Sequence, residues 1–100
     1  MKKLLVNFNK AFENRVRLGI MSVLMVNESV DFNALKELLN LSDGNLASHI
    51  RALEEVKYIT VNKQFIGKKP NTTYSASKEG KKAFHMHLKE LENLIRNQPK

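Results

Sequence analysis

The sequence contains no cysteine, two prolines and four glycines in 100 residues. Without a thiol there is no disulfide, no zinc finger or ribbon, no iron–sulfur centre and no thiol nucleophile, and the composition suits a reducing cytoplasm. So little proline and glycine beside 42% hydrophobic residues excludes a disordered or fibrous chain. Long apolar runs are also missing. The longest, Leu18 to Val26, spans less than half of the about 20 residues that cross a bilayer. The opening Met1-Lys2-Lys3-Leu4-Leu5-Val6 resembles the start of a signal peptide, but Asn7, Asn9, Lys10, Glu13 and Asn14 interrupt it before an apolar stretch develops. These absences predict a soluble, cytoplasmic chain with no membrane partner. Its length predicts one domain over 1–100 with a modest core, burying about 60–65% of the surface of the unfolded chain. An oligomer is a natural way to bury more.

Acidic residues are scarce in one region. The net charge is +7, yet residues 1–56 carry seven basic and seven acidic side chains and residues 83–100 three and two. Residues 57–82 carry seven basic ones (Lys57, Lys63, Lys68, Lys69, Lys78, Lys81, Lys82) against Glu79 alone. A local excess of this kind suits a surface facing a polyanion.

Hydrophobic periodicity organises the rest. From Asn9 to Asn27, Phe12, Val16, Ile20 and Leu24, with Leu18, Met21, Val23 and Met25, predict a central buried helix. Asn27-Glu28-Ser29 is a turn and Val30 a short strand, before Asp31 caps a second helix carrying Leu35, Leu38 and Leu39. After Asn40-Leu41, Ser42 caps a third helix running through Leu46, Ile50, Leu53 and Val56. Two short helices at this spacing form a helix-turn-helix over about 31–56. Tyr58 to Val61 with Phe65-Ile66, turn chemistry at Gly67 to Asn71, and Thr72-Thr73-Tyr74 predict a hairpin over about 57–76 with a basic tip. Ser77 then caps a last helix to about 97, with Phe84, Leu88, Leu91 and Ile95 on one face, widened by Ala83 and Leu94. The fold class is mainly α with a small β-hairpin.

At 100° per residue, Leu46, Ile50 and Leu53 point into the core. Beyond the cap Ser42, the opposite arc of that helix carries Gly44, Asn45, Ser48, Arg51 and Ala52, with His49 on its flank. A helix that enters the major groove needs short side chains for close approach and a few hydrogen-bonding groups for base edges. Gly44 suits a close approach to another backbone. Phosphate affinity is expected from Lys63, Lys68 and Lys69, with the amide and hydroxyl of Asn71 and Thr72. Asp43, Glu54 and Glu55 oppose this reading, although they lie at the helix ends.

The order helix, helix-turn-helix, hairpin, helix resembles the winged-helix transcriptional regulators of the MarR and ArsR type. Arg17-Leu18-Gly19-Ile20-Met21 with Leu24 is similar to the first core helix of that group. LSDGNLASHIRALEEVKYI resembles its recognition helix, TTYSASKEGKKAF its exit from the wing, and GKKP the wing of its small stand-alone members. The likeness covers about residues 12 to 95. It implies a prokaryotic, dimeric, sequence-specific regulator of transcription, with contacts to double-stranded DNA from Asn45, Ser48, His49 and Arg51 and from Lys68, Lys69 and Asn71. It further implies a homodimer joined through the terminal helices, to which the sequence adds apolar Leu4, Leu5 and Phe8 at one end and Phe84, Leu88, Leu91, Leu94 and Ile95 at the other. Lys57 departs from the group, which has glycine there.

Other chemistry finds little support. His85 and His87 diverge by about 160° on a helix and cannot share one ion, so no metal or other cofactor is expected. His87 is placed beside the dimer seam and His85 in solvent. No phosphate-cradling loop, catalytic carboxylate pair or nucleophile–base arrangement is present, so an enzyme is not expected. A small-molecule effector in an apolar cleft near the terminal helices is compatible with the sequence, without a residue that argues for it. The alternative reading is a winged-helix protein-interaction module whose hairpin binds an acidic partner.

Overall fold

The periodic stretch from Asn9 to Asn27 forms two helical pieces in the computed structural model, which describes residues 8–97. A 3-10 turn, Lys10–Phe12, is followed by α1, Arg15–Val26. Asparagine makes the break. Asn9 caps the first piece, and the Asn14 side-chain oxygen accepts from the amides of Val16 and Arg17 at 2.9 and 3.1 Å, holding Asn14 in an extended conformation. Ile20, Met21 and Leu24 are buried as expected, whereas Val26 is exposed.

Strand β1, Val30–Asp31, leads into α2, Phe32–Leu39, where Asp31 accepts from the Ala34 amide at 2.8 Å. Asn40 stops α2 in the left-handed conformation, φ 54°, with the amides of Asn40 and Leu41 turned back to the Glu37 and Lys36 carbonyls. The next helix, α3, Asp43–Glu55, begins at Ser42. It buries Leu46, Ile50 and Leu53 against α1 and leaves Val56 exposed. Leu38, an expected core position of α2, is exposed as well.

Helix α3 ends like α2. The Lys57 amide donates to Glu54 O at 2.9 Å and the Tyr58 amide to Leu53 O at 3.0 Å, with Lys57 at φ 63° where glycine is the unstrained choice. Strands β2, Ile59–Ile66, and β3, Lys69–Ala76, then pair antiparallel, and β1 joins the far side of β3. The connecting turn is shorter than the sequence suggests. Only Gly67 and Lys68 lie outside the ladder, Gly67 having the positive φ of 65° that a two-residue hairpin requires. Lys69, Pro70 and Asn71 belong to β3, and Pro70 is tolerated because β1 pairs only with Thr73 and Tyr74.

The last helix, α4, Lys78–Arg96, is clamped to the exit of α3. The Ser77 hydroxyl donates to Lys57 O at 2.7 Å and accepts from the Gly80 amide at 2.9 Å, while the Ser77 amide donates to Tyr58 O at 3.0 Å. Gly80 is required there, since a Cβ would fall on the Tyr58 carbonyl. The architecture is the winged helix-turn-helix: among the described residues, four α-helices and a three-stranded antiparallel sheet.

Candidate nucleic-acid interface

Burying Leu46, Ile50 and Leu53 turns the other side of α3 outward by geometry alone. Gly44, Asn45, Ser48 and Arg51 are all exposed on it. Ser42, also exposed, is engaged as the cap, accepting from the Asn45 amide at 3.2 Å. A Cβ on Gly44 would meet nothing within 4 Å, so no contact among the described residues calls for glycine in this first turn. Asp43, the acid that opposed a phosphate-facing role, forms an ion pair with Lys36 of α2 at 2.9 Å. Lys36 was not legible as part of this surface, because the pairing spans the helix-turn-helix corner.

His49, on the flank of this outer arc as expected, is half-buried and faces Arg17 of α1. The Arg17 guanidinium reaches its Nδ1 over a long 3.5 Å, and Arg17 Nε donates to Ala11 O at 2.7 Å. A guanidinium only donates, so this contact makes Nδ1 the acceptor and leaves the ring hydrogen on Nε2. Arg17 thus supports α3 from behind, a role the sequence did not reveal.

On the hairpin, Lys63, Lys68 and Lys69 are exposed. Lys68 sits in the turn, Lys69 pairs with Ile66, and Lys63 stands across from Thr72. Asn71 and Thr72 are not at the tip. They are half-buried on β3 and line a shallow depression with Asp31, Phe32, Asn33 and Pro70. Phe65 and Ile66, expected only to continue a strand, are exposed beside the lysines at 74% and 65%.

The apolar residues of α4 divide. Phe84 lies in the chain's own core with its ring 5.5 Å from that of Phe12, so it is not surface available to a second copy. His87 likewise leaves the position beside a seam: it is buried between Phe8 and Phe12, each ring 5.3 Å away, and its Nδ1 has no hydrogen-bond partner among the described residues. Phe8 is therefore half-buried within the chain. His85 is exposed. Leu88, Leu91 and Ile95 continue the Phe84 face into solvent, with Leu94 half-buried beside them. Leu4 and Leu5 lie outside the described residues. A shallow cleft of about 410 Å³ lies between the Asn9–Ala11 segment, Arg17 and residues Ala52 to Tyr58 at the exit of α3. Among the described residues no helix is long and apolar enough to cross a membrane.

Tyr74, buried at the base of the sheet, has its hydroxyl pKa raised by desolvation and then by the negative charge of Glu54. The charge of the hairpin is carried by its exposed lysines.

Residues 16–95 match the family model described as a winged helix DNA-binding domain. The chain is 36% identical over 88 residues to an uncharacterized protein of Methanocaldococcus jannaschii, covering 88% of this chain and 96% of that one. Among solved structures it is similar to a transcriptional regulator homologue from Pyrococcus horikoshii OT3, at 30% identity and a TM-score of 0.83, covering 95% of this chain and 92% of the other. HlyU from Vibrio cholerae is 25% identical with a TM-score of 0.63 and 96% coverage of both chains.

Proposed function

The chain belongs to the winged helix DNA-binding family of transcriptional regulators, and from that membership we propose that it acts as a cytoplasmic homodimer that reads a specific duplex sequence. The observation that carries the reading is the outer face of α3. Gly44, Asn45, Ser48 and Arg51 are exposed together, short side chains precede one long cation, and nothing among the described residues explains the glycine. In this reading Gly44 lets the helix approach the DNA backbone closely, and Asn45 and Arg51 read base edges in the major groove, where Asn suits adenine and Arg suits guanine. Ser42, Ser48 and the Nε2–H of His49 donate to phosphates or bases at the rim. Lys63, Lys68 and Lys69 hold the backbone beside the wing, with Asn71 and Thr72 in support.

The dimer seam is the Leu88, Leu91, Leu94 and Ile95 surface of α4, to which Leu4 and Leu5 add. Exposed apolar residues at this spacing suit a self-complementary two-fold contact. The whole chain then works as one domain per protomer.

Selection of bound fragments from a random duplex pool by the full chain tests the reading. The expected product is a palindrome with half-sites about one helical turn apart, bound with an affinity that falls about 10³-fold or more between about 50 and 200 mM salt if about six phosphates are neutralised. No preference over random duplex at any salt overturns it in favour of a module that binds an acidic protein.

A further inference from the structure

The tip of the hairpin holds an unusual combination. Phe65 and Ile66 are 74% and 65% exposed, and their pairing with Pro70 and Lys69 places them on opposite faces of the ribbon, one step from the Gly67-Lys68 turn. Between Ile59 and Ala76 the charged residues are Lys63, Lys68 and Lys69, with no carboxylate. Lysines alone account for a grip on phosphates. They do not account for an aromatic ring held in water near the end of the hairpin, two residues before its turn.

We propose that Phe65 is a wedge that enters the minor groove and partly unstacks a base step, with Ile66 against the groove wall and the three lysines on the flanking phosphates. The inference rests on the DNA-binding reading of the preceding section. Its physical basis is fit and charge. A two-stranded ribbon with side chains on both faces is wider than the about 6 Å minor groove of B-DNA, so the tip enters only if the groove opens. Inserting an apolar side chain at a step opens the groove and kinks the duplex by about 20–90° toward the major groove. A planar ring is suited to this because it replaces the lost base stacking with stacking of its own. The all-basic surround favours an anionic partner over a neutral or basic surface, and the ribbon's fit to a groove favours duplex DNA among anionic partners.

The test uses duplexes recovered from a random pool by the full chain, examined as circularly permuted fragments on gels and with 2-aminopurine placed at the steps flanking the half-site. The wild-type protein is expected to bend its duplex and raise 2-aminopurine emission. Phe65→Ala should abolish both and weaken binding about tenfold, whereas Phe65→Leu, which keeps an apolar wedge, should retain most of the bend. Because Phe65 is exposed, all three proteins should melt at the same temperature. Lys68→Ala with Lys69→Ala should weaken binding and leave the bend of the bound duplex unchanged. A wild-type complex that is straight, or a Phe65→Ala complex bent equally, overturns the wedge while leaving DNA binding intact. Adsorption to phosphatidylserine vesicles that Phe65→Ala removes, with the bend unaffected, assigns the tip to a lipid surface and also overturns it. Failure to recover any duplex removes the DNA reading itself.

Discussion

Lys57 shows how one residue joins local strain to the placement of two functional helices. Its φ of 63° ends α3 and turns the chain into the hairpin, and its carbonyl receives the Ser77 hydroxyl that starts α4. A left-handed conformation costs an L-residue about 1 kcal/mol that glycine avoids, so Lys57→Gly is expected to stabilise the fold by about that amount in urea unfolding. Gly80→Ala should act in the opposite sense by about 3 kcal/mol or more, since its methyl meets the Tyr58 carbonyl, which has no room to retreat without pulling α3 from α4. The two positions also differ in legibility. Lys57 stands out in the sequence through the family resemblance, which places glycine at that helix end, but the need for Gly80 arises from a partner far back in the chain. Tyr74 adds a pH dependence. Its folded pKa is raised, so the stability tied to its neutral hydroxyl is complete below the unfolded value of about 10 and is lost as pH rises above it. Unfolding curves at about pH 8 and pH 10.5 should therefore diverge less for Tyr74→Phe than for the wild type.

Among elements, those whose ends are set by caps were legible and those set by longer-range packing were less so. Asp31, Ser42 and Ser77 each start a helix where their side chains predict it, because an N-cap satisfies backbone donors within three residues. The break at Asn14 escaped the periodicity, which runs through it unchanged. The hairpin turn contracted to Gly67-Lys68 because pairing extends the strands until glycine is needed for positive φ. That contraction separates two classes of contact: Lys68 and Lys69 at the tip, Asn71 and Thr72 withdrawn toward α2. A corresponding division is expected in binding. Lys68→Ala or Lys69→Ala should weaken all duplexes equally and lower the salt slope by about 1, whereas Arg51→Ala or Asn45→Ala should cost about 1–3 kcal/mol on the selected site and relax the preference at one base pair. Competition titrations against the selected and a scrambled duplex separate these outcomes.

The whole molecule is elongated, with extents of 60 × 26 × 21 Å and a radius of gyration of 15.4 Å against about 13 Å for a compact domain of 100 residues. Part of that length is α4, whose apolar face begins as core at Phe84 and continues as solvent-exposed Leu88, Leu91 and Ile95. One helix face thus serves two environments, which explains why sequence spacing alone assigned Phe84 to the seam: periodicity identifies the face but not where the protomer's own core stops covering it. If the exposed part joins two copies, the basic hairpins are doubled and tied at a fixed separation, and DNA affinity depends on the seam through effective concentration. Leu91→Glu tests this. The wild-type chain is expected to sediment at micromolar concentration as twice 11.5 kDa, and the variant at 11.5 kDa with an almost unchanged melting temperature, because Leu91 is 42% exposed within its own chain. The variant should also bind a palindromic duplex no more tightly than a single half-site. A wild-type chain that sediments at 11.5 kDa, or a variant that keeps its advantage on the palindrome, places the second copy elsewhere or removes it.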